Sequence, residues 1–319
     1  MVGLIFWRTE LTGDRPSKKH KSPSKKHKSF DEQIQHLKRK GLEVSNSDSA
    51  TACLQRINYY HLRGYYIDLT VRDPDSQISR FLPGTTFEQI VARHETDCLL
   101  RQVLLPYLRK VELAARSACS YALTEHYGSL GYKNSENFSN NNYHKWFLGQ
   151  VRSATKRFKK EPFVKNYEEH YEGNFPLWVV VEMLPFGVIS KLYKNMLPKD
   201  QKTAARLLGY QYNRLEQLLN ALVVLRNTIA HHSRLHSRRM NTQYSMPPES
   251  VALVSELDPG FILQPSSVFS TILGLSRLLL PEERTRLVSD IAAATRSNRD
   301  YRLVKLGFPS HWPEVLGSE

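Results

Sequence analysis

Residues 225–235 read Leu-Arg-Asn-Thr-Ile-Ala-His-His-Ser-Arg-Leu and hold the side chains best suited to chemistry in this chain. Arg226 and His231 lie four intervening residues apart at the end of an apolar-periodic helix, with Asn227 beside the arginine. An imidazole can exchange a proton with a ribose hydroxyl near neutral pH. A guanidinium can clamp a phosphate with two parallel bonds and hold the charge that builds in the transition state. These types suit RNA cleavage without a metal, in which the 2′-hydroxyl attacks the adjacent phosphate and leaves a 2′,3′-cyclic phosphate and a 5′-hydroxyl. His231 would serve as general base or acid, Arg226 as charge stabiliser, and Asn227 would orient the histidine or a phosphate oxygen. His232 and Arg234 are weaker candidates for substrate contact. Because the nucleophile is the 2′-hydroxyl, DNA is not expected to be cut.

The helix that must position these groups constrains them. At 100° per residue, Leu215, Leu218, Leu219, Leu222, Leu225 and Ile229 form one apolar stripe, and Arg226 falls within it. A buried guanidinium needs a carboxylate or a bound phosphate facing it. Glu112 and Glu182, each on an apolar helix, are the internal candidates. Asn220, Val224, Asn227 and His231 define a second stripe about 140° away. Arg226 and His231 therefore converge only through the arginine's reach, unwinding at the helix end, or a second copy of the helix. That constraint favours a site composed between two subunits. A plainer reading stands beside it: Arg226 as an ion-pair residue, and His231-His232 as a cationic end favoured by the helix dipole.

The surrounding pattern is helical. A helix is expected from Phe30 to Gly41 and a second after a cap at Ser47-Asp48, running into Ile57–Tyr66. A turn-rich connection follows over Asp73–Gly84. From Thr86 a long helical region, interrupted at Pro106, reaches Tyr127-Gly128, with Leu100, Leu104, Val111, Ala115, Ala118 and Ala122 as its buried stripe. Residues 128–144 read as a loop. Further helices are expected at about 143–160, 177–196, 199–230 with a break near Gly209, and 265–297. Alternating strand patterns are scarce, so the expectation is an all-α fold. It divides into a disordered basic arm (1–29), an N-terminal helical subdomain (30–84), and a helical bundle with C-terminal helices (85–319). The arm carries a tandem repeat, Ser17-Lys-Lys-His-Lys-Ser-Pro23 and Ser24-Lys-Lys-His-Lys-Ser29, with almost no apolar content. It fits a nonspecific phosphate contact or a solubilising tail equally well.

With 45 Lys and Arg against 31 Asp and Glu, the net charge is +14, which favours a polyanionic partner, nucleic acid first. The three cysteines, Cys53, Cys98 and Cys119, are scattered without metal-ligand spacing and read as thiols in a reducing compartment. No carboxylate cluster or Cys/His spacing calls for a metal, and no cofactor is expected. No run approaches the roughly 20 apolar residues of a membrane helix. Residues 1–7 are too short for a signal segment, so a cytoplasmic protein without membrane contact is expected.

Tyr59, Tyr60, Tyr65 and Tyr66 around Gly64 fit either base stacking or a packed helix corner, with core packing the favoured reading. Trp178 and Glu182, spaced i,i+4, read as structural. Glu112 and Arg116, also i,i+4, could pair with each other, hold Arg226, or contact RNA.

Several blocks resemble the Abi-like (AbiD/AbiF) family. Phe30-Asp-Glu-Gln-Ile-Gln-His-Leu-Lys-Arg-Lys-Gly-Leu42 and Ile57-Asn-Tyr-Tyr-His-Leu-Arg-Gly-Tyr65 look like its N-terminal signature. Phe175-Pro-Leu-Trp-Val-Val-Val-Glu-Met-Leu-Pro-Phe-Gly187 with Ser190-Lys-Leu-Tyr193 resembles its central block, and Leu306-Gly-Phe-Pro-Ser-His-Trp312 its tail. Leu225–Leu235 resembles the R-x4-6-H motif of the HEPN superfamily. The blocks span roughly residues 30–315 in the family's order; the lysine-rich repeat departs from the pattern. The resemblance implies a HEPN-type bundle, a homodimer whose two motifs form one ribonuclease site, and anti-phage defence by abortive infection. Its motif positions fall on Arg226, Asn227, His231, His232 and Arg234. Two further readings are open: a catalytically silent RNA-binding dimer, and a toxin held silent by an antitoxin protein or noncoding RNA.

Overall fold

A computed structural model describes residues 26–72 and 78–318. The chain is 67% helical, with fourteen α-helices among the described residues, and the all-α expectation holds. Most of the basic arm, residues 1–25, lies outside the described residues.

The N-terminal part holds α1 (Phe30–Arg39), α2 (Ser47–Arg56) and α3 (Tyr59–Arg63). Ser29 and Glu32 form a reciprocal capping box that starts α1. α2 is capped by Asn46, whose side chain accepts from the Ser49 amide at 2.9 Å, one residue before the expected cap. The connection read as turns contains a short hairpin, β1 (Thr70–Arg72) and β2 (Ser79–Phe81), with Val71 opposite Arg80. Ile34, Leu37, Leu54, Leu62, Tyr65, Phe81 and Ile90 close one buried cluster.

The long helix α4 (Phe87–Tyr127) runs through Pro106 without a break, correcting the expected interruption. Proline removes the amide that would bond to the Gln102 carbonyl. Both Pro106 and Gln102 face solvent, so water can take up that carbonyl, while buried Leu104, Leu108 and Val111 hold the opposite face. α4 contributes Phe87 and Ile90 to the first cluster and Leu100 onward to a second, larger one.

Around α4 pack α5 (Asn141–Arg157), α6 (Pro162–His170), α7 (Leu177–Met183), α8 (Phe186–Asn195), α9 (Pro198–Leu207) and α10 (Tyr212–Ala230). The single helix expected at 177–196 is two. Leu184 precedes Pro185 and is pushed to extended backbone (ψ 143), which turns the chain between α7 and α8. The loop expected at 128–144 carries two 3-10 turns before α5 begins. α11 (Pro248–Leu257), α12 (Val268–Ser276), α13 (Pro281–Arg296) and α14 (Trp312–Gly317) complete the bundle, with Pro281 dividing what was expected as one helix.

α10 is buried along the stripe its periodicity defined: Leu215, Leu218, Leu219, Leu222 and Leu225 are fully enclosed. It crosses α12 closely at Gly274, where a Cβ would stand 2.3 Å from Leu218 Cδ1. No helix among the described residues is long and apolar enough to cross a membrane.

Candidate functional site

Two groups of side chains converge at the C-terminal end of α10. The first surrounds Arg226. Its side chain is 23% exposed at the stripe's edge, with Nε 3.2 Å from Glu112 Oε2 on α4. That contact is an ion pair without hydrogen-bond alignment. The Arg226 amino group donates to Asn227 Oδ1 at 2.8 Å, and the guanidinium lies 5.9 Å from the Phe186 ring centroid at the start of α8. Glu112 also accepts from Arg116 at 2.5 Å, and Arg116 donates its other amino group to the Val181 carbonyl. Two guanidiniums therefore share one carboxylate, and the network keeps a net positive charge. Such a cluster favours an anion.

Of the two carboxylates considered for Arg226, Glu112 is the partner; Glu182 is exposed and forms no ion pair among the described residues. Arg116 is buried and engaged at both amino groups, so its geometry is that of a support for Glu112 rather than a ligand contact. Trp178, read as structural with Glu182, is 52% exposed because α7 buries Leu177, Val180 and Val181 instead.

The second group surrounds the turn after α10. His231 is the helix's C-cap and His232 follows with φ +54, the left-handed conformation usually taken by glycine. The His232 amide donates to the Ile229 carbonyl and the Ser233 amide to the Thr228 carbonyl, which makes a Schellman ending. Both imidazoles are exposed. Among the described residues no bond joins Arg226 to His231; α10 unwinds at His231 and presents the two groups at one end of the helix.

The turn is gripped from α4 by residues that the sequence reading missed. Arg101 donates to the carbonyls of His232 and Ser233 at 2.8 and 3.1 Å. Asp97, fully buried and one turn earlier, accepts from the amides of Leu235 and His236 at 3.1 and 2.8 Å. It also accepts from the hydroxyls of Tyr65 and Tyr301 at 2.9 and 2.7 Å and faces Arg101 at 3.6 Å. Arg93, Asp97 and Arg101 share a helix face with Leu100 and Leu104. Charges inside an apolar stripe were the available signal.

Arg234 donates to the Gly64 carbonyl, and a Cβ at Gly64 would stand 2.8 Å from Arg234 Nε. That explains a glycine at this corner. Tyr65 and Tyr66 are buried, whereas Tyr60 is 74% exposed with Arg63 6.0 Å from its ring centre, so the four tyrosines divide between core and surface. His61 and His94 meet edge to face at 5.3 Å beside this corner. Burial first, then the charge of Arg101, holds the His61 pKa below its ordinary value; burial and His61 do the same to His94. His236 is pulled down to about 4, chiefly by burial. Among the described residues no cluster of His, Cys, Asp and Glu could hold a metal ion.

The N-terminal Tyr65 block, the α7–α8 corner and the motif turn thus meet in one structure. No curated protein and no solved structure matched the chain. The family model described as Abi-like protein matches residues 52–237, more than half of the 319-residue chain, and that span includes Tyr65, Asp97, Glu112, Phe186, Arg226 and His231. The chain belongs to the Abi-like protein family.

Proposed function

We propose that this protein serves abortive-infection defence as a metal-independent endoribonuclease of the HEPN type. The observation that carries the reading is the net-positive Arg226–Glu112–Arg116 network beside an exposed histidine turn. A phosphodiester seated on the free edge of Arg226 would complete the compensation that one carboxylate leaves unfinished. His231 would then take the proton from the 2′-hydroxyl or give one to the departing 5′-oxygen. Asn227, bonded to Arg226, would fix the guanidinium plane.

The stripes of Arg226 and His231 diverge along α10, so the complete site is composed by a homodimer in which each α10 end faces its symmetry mate. In such an arrangement, the arginine of one subunit serves the histidine of the other. The separation of Arg226 from His231 within one chain also supports a second reading, an RNA-binding dimer without cleavage.

Incubating wild type and His231→Ala with total cellular RNA in EDTA, followed by analysis of product ends, separates these readings. Cleavage by wild type alone, leaving cyclic phosphates, supports the nuclease. A loss of about 10²–10⁴ in rate on removing the histidine is the expected scale. RNA binding without products from either protein supports the silent binder.

A further inference from the structure

A basic stretch of the described surface lies away from the motif. Lys145, Arg152 and Lys156 recur on α5 at intervals of seven and four, on one exposed face. Lys159 and Lys160 extend this face into the following turn, and residues 145–160 contain no acidic side chain. Among the described residues the side chains of these five make no ion pair or hydrogen bond. Some positive charge at a helix C-terminus is favoured by the dipole, but five unpaired cations in a row repel one another. The stripe from Lys145 to Lys156 covers roughly 16 Å of helix axis. Gly149 lies between Lys145 and Arg152 on the same face, where a Cβ would stand 3.9 Å from an Arg152 amino nitrogen.

The stripe connects to the arginine network. Arg157, next to Lys156, donates to the Met183 carbonyl at 2.9 Å, at the C-terminal end of α7. Arg116 donates to the Val181 carbonyl at the same end, and Phe186, just past the corner, lies beneath Arg226. Three guanidiniums are therefore arranged around one helix corner, and the lysine stripe leads away from it along α5.

We infer that Lys145, Arg152, Lys156, Lys159 and Lys160 form a track for the phosphate backbone of a single-stranded RNA whose scissile region reaches Arg226. The inference rests on the ribonuclease reading for the direction of the strand, not for the binding itself. A backbone track reads charge rather than bases, so it predicts sequence-tolerant, salt-dependent affinity.

The test uses full-length His231→Ala protein and a labelled 30-nucleotide single-stranded RNA of mixed sequence, bound at several salt concentrations in EDTA. K156Q/K159Q/K160Q in this background is compared with K199Q/K202Q/R206Q, which removes the same charge from exposed positions of α9. The expected result is about tenfold weaker binding for the α5 triple and a salt slope shallower by about 2, with little change for the α9 triple. Equal affinity and slope for parent and α5 triple, or equal losses in both triples, would overturn the track. An acidic protein as the true occupant predicts the first of these overturning results. Retained RNA binding by the α5 triple leaves the cleavage reading standing, whereas loss of binding alongside a wild type that cuts nothing refutes cleavage alone. Matching circular dichroism and unfolding midpoints show that the triples are folded.

Discussion

Arg101 and His232 are 131 residues apart in sequence, yet one arginine amino group binds the carbonyl of His232 at 2.8 Å. The same group binds the Ser233 carbonyl at 3.1 Å. The conformation of the histidine turn is thus set by α4 as well as by the helix it terminates. Asp97 completes the grip through the Leu235 and His236 amides.

Replacing Asp97 by Asn keeps the shape but removes the charge facing Arg101, and it turns part of an all-acceptor group into a donor. Buried Asp97 receives two backbone amides and two tyrosine hydroxyls. The expected loss is about 3–5 kcal/mol, the scale for breaking a buried, hydrogen-bonded charge pair. Urea unfolding measures it. A change below about 1 kcal/mol would show that the grip does little for the fold.

His232 occupies a left-handed position at φ +54. Glycine there relieves a steric cost of about 1–2 kcal/mol, partly offset by the greater freedom of an unfolded glycine. His232→Gly is therefore expected to match or exceed wild type in unfolding midpoint while binding the labelled RNA more weakly. Full affinity in a protein of equal stability would remove His232 from the substrate contacts.

His236 has its pKa pulled down to about 4 by burial. In the unfolded chain it titrates near 6.5, so between these values the unfolded state binds the proton and the native state does not. Its contribution to stability is complete above about pH 6.5, declines as pH falls toward 4, and is constant below that. Its ring packs against Tyr65 and Tyr301, and its Nε2 is buried without a partner. His236→Phe should keep that packing and flatten the acid limb of a plot of urea midpoint against pH. An unchanged limb would assign the acid sensitivity elsewhere, with His61 and His94 next in line.

At Gly64 a methyl group would meet Arg234 at 2.8–2.9 Å. Gly64→Ala should displace the guanidinium from the Gly64 carbonyl at a cost of about 1–3 kcal/mol, as in other overpacked sites. Arg234→Ala in the same background should then cost less than it does in wild type, and a double-mutant cycle measures the coupling. Strict additivity would mean that the two positions act independently.

The apolar stripe of α10, the helical class and the need for a carboxylate opposite Arg226 were legible because each follows from 3.6-residue periodicity and from the need to compensate a buried cation, whereas the choice between Glu112 and Glu182 was not. Helix ends were less legible. Leu184-Pro185 and Leu280-Pro281 divided expected single helices, while Pro106 did not. Asp97 and Arg101 escaped notice because the turn they grip lies more than 130 residues away, and their charge inside an apolar stripe was the one local trace of that role.

Arg101 and Glu112 stand on opposite sides of Pro106, separated by roughly 16 Å of one continuous helix. One grips the main chain of the histidine turn and the other pairs with the Arg226 side chain, so α4 is a brace that meets the end of α10 at two points. Proline leaves that brace one internal hydrogen bond short between the two points. Any bend there would have to be taken up by the last turns of α10, because both contacts land on that helix or on the turn that ends it.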